Sequence, residues 1–455
     1  MEAAMLMAGK RRVVITGLGA ATPVGIGVEP FWDALIAGRN GLHRIESFDP
    51  AGLASQVGGE LPTFSLGDFI PRGYRKSAKV MAQDIKIAVV CAYLAVKDAS
   101  LHTPCLIERE EAPGPPNFDS RRFGANIGAG LISADLVELA GALSTAVDEQ
   151  GKLSLARWGG EGMNNLTPLW LLKFLPNMLA CHVTIVHDAQ APSNTITCAE
   201  ASSHLAVGEA FRTIALGDAD VCICGGAESK INPMAIARPQ LWGRLNTASN
   251  DQPEQACQPF GANRKGMVAA DGGGLMILES LDHALHRKAR IYAELVGFGA
   301  GVNVHDPVDP PPDGRHVALA LSKALRDADA KPQQIDLVAP FGLGTAEHDA
   351  SEMNGWNEVF GSRLDDIPAL TTRASVGNNG AGSGAIDLAA TVTALYHNTV
   401  PPSLNTDQLD PACRFRFVQN DPVDAKIDHA VSLGYAAAGG QSAALVIRRY
   451  QESQA

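Results

Sequence analysis

Residues 191–229, APSNTITCAEASSHLAVGEAFRTIALGDADVCICGGAES, predict a strand, a sharp junction and a helix in direct succession. The β-branched residues at 195–197 favour the strand. From Ser202 onward, apolar residues recur on one helical face, namely Val207, Ala210, Phe211, Ile214 and Ala215. Residues 198–200 therefore lie at a strand-to-helix junction, where the free N–H groups of a helix N-terminus favour a thiolate or a carboxylate.

Similar strand-to-glycine units recur along the whole chain. They are RRVVITGLGAATPVG (11–25), FGANIGAG (123–130), RIYAELVGFGAG (290–301), IDLVAPFGLGT (335–345) and SAALVIRR (442–449). Helical patterns at 84–99 and 316–328 stand between them. This alternation predicts an α/β fold with a mainly parallel sheet. Because the units occupy both parts of the chain, we predict two related halves, residues 11–286 and 287–450.

Composition excludes several classes of protein. The 455 residues include 37 Lys and Arg against 49 Asp and Glu, a formal charge of −12, which disfavours nucleic acid as a partner. The sequence contains no run of 18 apolar residues, so we expect no membrane span. The first cations follow a short apolar stretch, the reverse of a secretory signal, and favour a cytoplasmic protein. The eight Cys include no C-x-x-C pair, so we expect no metal site.

Several blocks together carry a resemblance to a known family. Besides residues 11–25 and 290–301, these are CHVTIVHDAQAPS (181–193), GDADVCICGGAES (217–229) and VPPSLNTD (400–407). The chain resembles the β-ketoacyl-acyl carrier protein synthases, the condensing enzymes of fatty-acid and polyketide synthesis, over about residues 11–449. The resemblance implies a thiolase-like fold with α-β-α-β-α layers and two related halves. It implies no cofactor.

The resemblance also places the family's catalytic positions, and the sequence departs from the family at all of them. Family members use a Cys that accepts the acyl group and two His that polarise the malonyl group. Here the nucleophile position falls on Glu200, the first His on Phe341 and the second His on Asn378. In the gating turn near the C-terminus, YAAAGGQS (435–442), the bulky family Phe becomes Ala438.

These replacements remove the chemistry of condensation. An acylated Glu200 would be a mixed anhydride, which is more reactive than a thioester. Phe341 can neither donate a hydrogen bond nor move a proton, and Asn378 is neither an acid nor a base near pH 7. We therefore expect no self-sufficient condensing activity. A buried carboxylate needs donors, so we expect Glu200 to be ionised and to cap the helix that follows it.

Four charged residues match family positions around the former site. Arg373 matches a family Lys, and Asp387 matches the acid partner of that Lys, so the positive and the negative charge of the family pair are both kept. Asp349 and Glu352 match acids downstream of the lost first His. We expect these four residues to form an internal ion-pair network that holds the two halves together.

A cluster of basic residues occurs in this chain, although the chain as a whole carries a negative net charge. It lies in PRGYRKSAK (71–79) and consists of Arg72, Arg75, Lys76 and Lys79. The family uses basic residues in a similar region to dock acidic carrier proteins, and Arg244 matches a basic family position near the tunnel entrance. The resemblance therefore implies docking of an acyl carrier protein, while an ordinary solvated face is the alternative.

The resemblance is strongest in role to the chain-length factors of type II polyketide systems, inactive members whose nucleophile position usually holds Gln. It implies a subunit that pairs with an active ketosynthase homologue in a heterodimer and shapes the tunnel for a carrier-bound acyl or polyene chain. Two alternatives remain open. One is a repurposed acyltransferase or hydrolase that uses Glu200 or Cys198. The other is an inactive homodimer that binds acyl chains.

Overall fold

The computed structural model of the protein describes residues 10–306, 309–437 and 440–451. Ala438, the predicted gating residue, lies outside them. The strands are β1 Val13–Thr22, β2 Gly25–Ile26, β3 Leu42–Arg44, β4 Val57–Gly59, β5 Phe123–Ala129, β6 Ser193–Ile196, β7 Val221–Glu228, β8 Gly272–Ser280, β9 Ala293–Val302, β10 Leu337–Ala339, β11 Pro368–Ala369, β12 Thr399–Val400, β13 Arg416–Phe417, β14 Val423–Asp424, β15 His429–Tyr435 and β16 Gln441–Arg448.

The α-helices are α1 Val28–Ile36, α2 Gln83–Asp98, α3 Pro104–Glu108, α4 Leu136–Thr145, α5 Leu155–Arg157, α6 Met178–His187, α7 Ser202–Ala215, α8 Pro233–Leu241, α9 Leu281–His286, α10 Arg315–Asp327, α11 Ala346–Phe360, α12 Arg373–Val376 and α13 Ser383–His397. The helices predicted at 84–99, from Ser202, and at 316–328 are confirmed as α2, α7 and α10. The five apolar residues predicted for one face of α7 are all buried. No helix among the described residues is long and apolar enough to cross a membrane.

The main sheet repeats one pairing pattern in each half of the chain. Across the described residues its order is β13-β11-β10-β15-β16-β9-β1-β8-β7-β5-β6, with β2 on β1. Outward from the junction of β1 and β9, each half continues with two antiparallel and then two parallel pairings, and the C-terminal half adds a third parallel pairing of β11 with β13. Within the main sheet, the described strands of the two halves pair with each other where Val13–Ile15 lies beside residues 293–295. This repetition confirms the two related halves.

The prediction of a mainly parallel sheet was wrong, because the central pairings are antiparallel. Only five residues separate the end of β15 from the start of β16, too few for the crossover that parallel neighbours need, and these two strands pair antiparallel. The buried strands read as continuous apolar runs in either orientation, so the hydrophobic pattern could not distinguish the two cases.

Helices and strands form the five expected layers. α7 contacts strands from both halves and α13 packs beside it, so these two helices form the middle layer. α2 and α6 cover the outer face of β1, β5, β7 and β8. α10 covers the outer face of β9 and β16, and α11 packs on α10. The thiolase-like α-β-α-β-α fold is thereby confirmed.

Glycine pairs set the closest packing of helix on strand, and they do so in both halves. A Cβ on Gly19 of β1 would lie 2.1 Å from the carbonyl oxygen of Cys91 in α2. A Cβ on Gly299 of β9 would lie 2.2 Å from the carbonyl oxygen of Ala320 in α10. The G-x-G spacing in the two strands therefore serves one purpose, the close approach of a helix backbone.

We expect Gly19→Ala and Gly299→Ala each to lower the free energy of unfolding by about 1–3 kcal/mol or more, because the added methyl group meets helix backbone and not a flexible side chain. Gly52→Ala is the matched control, since Gly52 is exposed and its Cβ would meet nothing within 4 Å. Chemical denaturation of the three variants measures the difference. Equal stabilities for all three would contradict this account of the packing.

Candidate functional site

The strand-to-helix junction is built as the sequence predicts, but with a short extra turn. After β6, a 3₁₀-helix at Ala199–Ala201 leads directly into α7. Ala199 has a φ of 47°, the left-handed region that side chains other than glycine rarely adopt. Such strain is kept where the surrounding structure fixes it, commonly at functional sites. We call residues 198–202 the elbow.

Glu200 points from the elbow into the protein and is 3 % exposed. Its Oε1 accepts a hydrogen bond from Asn378 Nδ2 at 3.0 Å, and its Oε2 accepts one from the Ala437 N–H at 2.9 Å. The expectation that Glu200 caps α7 was wrong, because Ala201 occupies the N-cap of α7 and no side chain caps it. The 3₁₀ turn directs the carboxylate toward segments far along the chain instead.

The orientation of the Asn378 amide favours an ionised Glu200. Asn378 Oδ1 accepts hydrogen bonds from the Gly380 N–H at 3.0 Å and from Ser383 Oγ at 3.2 Å. The NH₂ group must therefore face Glu200, and both oxygens of Glu200 are acceptors of N–H groups. A carboxylate satisfies this arrangement, which agrees with the expectation that Glu200 is ionised.

Lys230 supplies the charge that burial of Glu200 requires. Burial raises the pKa of Glu200, but Lys230, Asn378 and the Ala437 N–H together outweigh it, and the net pKa is lowered. Lys230 Nζ is itself held 3.1 Å from Glu228 Oε1. Burial lowers the pKa of Lys230, whereas Glu228 and Glu200 raise it, with a net rise. We call Glu200, Asn378, Ala437 and Lys230 the Glu200 pocket.

The sequence analysis missed Lys230. The available signal was its position two residues beyond Glu228, at the end of a fully buried strand, where a cation needs an acid partner. It also missed His348, which borders the pocket. His348 Nε2 lies 3.1 Å from the carbonyl oxygen of Ala437, and Nδ1 lies 2.9 Å from Thr345 Oγ1. Burial and the nearby Arg244 lower the pKa of His348, so a neutral ring is favoured.

Phe341 and Arg373 are coupled to each other. Phe341 is fully buried, and the Arg373 guanidinium carbon lies 5.1 Å from the centre of its ring, a cation–π contact. Arg373 Nη2 is 2.6 Å from Asp387 Oδ1, and both side chains are buried. The guanidinium thus contacts an aromatic face and an acid at once.

Asp349 and Glu352 both accept backbone N–H groups, and Asp349 also pairs across the two halves with Arg264, whose Nε lies 3.6 Å from Asp349 Oδ2. Glu352 accepts the N–H groups of Phe341 and Gly342 at 2.7 and 2.9 Å. Asp349 accepts that of Gly344 at 3.0 Å. Burial raises the pKa of Asp349 to about 7 and that of Glu352 to about 8. The expected four-residue network is therefore replaced by two separate ion pairs, Arg373 with Asp387 and Asp349 with Arg264, and the second of these joins the halves. Glu352 and Asp349 also hold the loop around Phe341.

The remaining candidates lie in different surroundings. Cys198 is partly buried, and burial raises the pKa of its thiol, the opposite of activation. Arg72, Arg75, Lys76 and Lys79 are all exposed on a 3₁₀-helix at Arg72–Val80.

Arg244 does not join the exposed cluster. It is 5 % exposed, and its guanidinium carbon lies 4.8 Å from the Trp242 ring centre. Burial lowers the pKa of Arg244 and Glu200 opposes that shift, which places Arg244 electrostatically with the Glu200 pocket. Because a buried side chain cannot dock a carrier protein directly, the docking role expected for Arg244 is not supported.

A cleft of about 1150 Å³ lies beside the basic cluster and does not include Glu200. It is bordered by Lys79, by the start of α4 and by the segment after β7. A small void of about 10 Å³ lies beside His348 and Ala437, about the minimum that holds one water molecule. The larger of these two spaces therefore adjoins the basic cluster, and Glu200, Phe341 and Asn378 do not line it.

Comparison with known proteins identifies two matching families. The family described as "Beta-ketoacyl synthase, N-terminal domain" matches residues 10–284, and "Beta-ketoacyl synthase, C-terminal domain" matches residues 292–407. A relative from Synechocystis sp., "3-oxoacyl-[acyl-carrier-protein] synthase 2", is 32 % identical over 442 residues, which cover 97 % of this chain and 99 % of that protein.

Two similar solved structures are complexes or paired subunits. One is a type II PKS acyl-carrier protein in complex with its ketosynthase bound to the hexaketide, with a TM-score of 0.79 and 27 % identity. The other is the ishigamide ketosynthase/chain length factor, with a TM-score of 0.81 and 26 % identity. In both cases 97 % of this chain and all of the other chain are covered.

We expect Glu200→Gln to lower the free energy of unfolding by about 1–3 kcal/mol, although the side chain keeps its size. Whichever way the new amide turns, its NH₂ group faces another N–H donor, either Asn378 Nδ2 or the Ala437 N–H. Denaturation of this variant beside Glu149→Gln, a change at an exposed glutamate, measures the effect. If both variants were as stable as the wild type, the pocket would accept an amide as readily as a carboxylate, and the prediction would be wrong.

Proposed function

The chain belongs to the β-ketoacyl synthase family, and from this premise we propose that it is a non-catalytic subunit of a condensing enzyme. It pairs with an active ketosynthase homologue in a heterodimer. It helps to shape the tunnel for a carrier-bound acyl or polyene chain, while the partner carries out the condensation. The condensing enzyme to which it contributes belongs to type II fatty-acid, polyketide or polyene synthesis.

The contacts of Glu200 carry the proposal. An acyl acceptor must present a free nucleophilic atom to the substrate, but both oxygens of Glu200 are held by N–H donors and their charge is matched by Lys230. The carboxylate is therefore stabilised as a buried anion, and acylation would have to break these contacts to form a reactive anhydride. These contacts favour a Glu200 side chain that permanently fills the site over one that acts as a nucleophile.

No nearby imidazole takes over the work of the two lost His. At Phe341 the ring is packed against Arg373 and has no exchangeable proton. Asn378 is fully engaged with Glu200, Gly380 and Ser383. His348 is the imidazole that borders the pocket, and both its nitrogens lie within hydrogen-bond distance of protein oxygens. Polarisation of a malonyl group, which needs free donors, is thus unsupported at each position.

An open sheet edge supports the pairing. β6 ends the strand order of the main sheet, and its first two residues are exposed. Beside it, Ile185 of α6 is 57 % exposed, and Leu171 on the adjoining 3₁₀-helix Trp170–Phe174 is 58 % exposed. An unpaired edge next to exposed apolar side chains is typical of a surface that a second chain covers. A homologous partner would preserve the two-fold geometry common to oligomers.

Exposure of the basic cluster supports carrier docking. Arg72, Arg75, Lys76 and Lys79 project from one short 3₁₀-helix into solvent, on a chain whose net charge is −12. A local positive patch on an acidic protein orients an acidic partner and disfavours other approaches. The similarity to a ketosynthase solved with an acyl-carrier protein is consistent with this role.

Pairing is tested by co-expression with a ketosynthase homologue that keeps the Cys and both His. We expect a one-to-one complex by light scattering, and condensation of acyl and malonyl groups only when both chains are present. Ile185→Arg should abolish the complex, because it buries a charge at the apolar surface. Leu319→Arg is the control, since Leu319 is also exposed but lies on α10 in the other half. Acylation or condensation by the isolated chain would overturn the proposal.

Docking is tested by charge reversal. We expect the double variant Arg75→Glu, Lys76→Glu to bind the acidic carrier protein about tenfold more weakly, with a smaller difference at high salt. The control is Arg326→Glu, Lys331→Glu, which changes the net charge equally at two exposed residues on the far side of the fold. A titration that gives both double variants the same affinity would leave the cluster as a solvated face.

A further inference from the structure

We propose that the Glu200 pocket is a receptor for a carboxylate anion, and that Glu200 fills it as a built-in ligand. The native protein therefore excludes free carboxylates from the former reaction site. A variant that lacks the Glu200 side chain will bind a small monocarboxylate in its place. This inference concerns binding and not pairing, so it holds whichever function the chain performs.

The first argument is that the donors are held in place by groups other than Glu200. The Asn378 amide is fixed by its bonds to Gly380 and Ser383. Lys230 is fixed by its ion pair with Glu228, and Glu228 accepts the Ala381 N–H at 2.7 Å. The donors thus keep their positions when Glu200 is truncated, and a preorganised set of donors binds with little loss of entropy.

The peptide unit of Ala437 is fixed from the opposite side as well. Its carbonyl oxygen lies 3.1 Å from His348 Nε2, while its N–H faces Glu200. The His348 ring is in turn anchored by Thr345 Oγ1. Truncation of Glu200 therefore leaves the Ala437 N–H aimed at an empty space and without its acceptor, and an unsatisfied buried donor favours any ligand that supplies an oxygen.

The second argument is charge. Glu200 is an electrostatic partner of both Lys230 and Arg244, and these cations come from different segments. Its removal takes from Lys230 one of its two acidic partners, and a largely buried charge that loses a partner is destabilised. Neutral Glu200 replacements cannot restore this balance, whereas an anion can. The receptor should therefore distinguish an anionic ligand from a neutral one of equal shape.

The third argument is shape. Glu200→Ala removes Cγ, Cδ and both carboxylate oxygens, which correspond atom for atom to an acetate ion. Because Glu200 is 3 % exposed, the space it leaves is enclosed on all sides and matches acetate better than a larger acid. Acetate is therefore the probe for the Ala variant, and acetamide is its neutral counterpart.

The test is a titration of Glu200→Ala with acetate at constant ionic strength. We expect acetate to raise the Tm of this variant in a saturable manner, as a ligand of the folded state does, and acetamide to have no such effect. Wild type should not respond to either compound. The double variant Glu200→Ala, Lys230→Met should bind acetate at least about tenfold more weakly, because one cation of the receptor is gone. Calorimetry measures the affinities directly.

Equal responses of Glu200→Ala to acetate and acetamide, or equal responses of the variant and wild type to acetate, would overturn the inference. If Glu200→Ala does not fold alone, refolding it in acetate or in acetamide serves instead. Recovery of folded protein only in acetate supports the receptor, and equal recovery in both overturns it. Assembly with the ketosynthase is measured separately, so this failure can be told apart from a failure of the proposed function.

Discussion

A carboxylate sealed inside a protein must have a donor for each oxygen and a cation for its charge. Glu200 meets this requirement with groups drawn from opposite ends of the chain. Asn378, which donates to it, is 178 positions away, and Ala437 is 237 positions away. Lys230 comes from its own half, directly after β7. The elbow, the end of β7 and two C-terminal segments are consequently tied together by one buried anion, and the geometry of the site follows from satisfying it.

The need to satisfy buried polar and charged groups also explains why Glu200, Phe341 and Asn378, at the family's Cys and His positions, depend on the partners around them. Asn378 is useful because its amide can give an NH₂ to Glu200 while its oxygen takes the Gly380 N–H. A guanidinium at Arg373 can lie over the Phe341 ring and still reach Asp387; a lysine ammonium has no planar face with which to stack. Each of the three replacement residues is matched by a partner that keeps the interior satisfied.

Sequence reasoning succeeded where the determinants are local or repeated. The period of apolar residues placed α7 from Ser202, and the recurring G-x-G strands indicated two related halves, although the division between residues 286 and 287 stays a prediction. It failed where a contact joins distant segments. Capping of α7 by Glu200 was inferred from neighbours in the chain, but the 3₁₀ turn sends the carboxylate to Asn378. Lys230 was missed because its partner in the pocket is revealed only by folding.

Under the proposed non-catalytic role, the pocket also explains why the lost chemistry is hard to restore one residue at a time. A thiol placed at position 200 would inherit Lys230 as a neighbour, and a nearby cation favours the thiolate. Such a thiolate would lie beside Asn378, which cannot exchange a proton near pH 7. Phe341, at the other lost His position, cannot do so either, so a malonyl group would still lack an acid or base from these two residues. Meanwhile Glu352 and Asp349 would continue to hold the loop that presents Phe341. The scaffold is thus stabilised by contacts that do not depend on catalysis, and its shape can persist after the reaction has been lost.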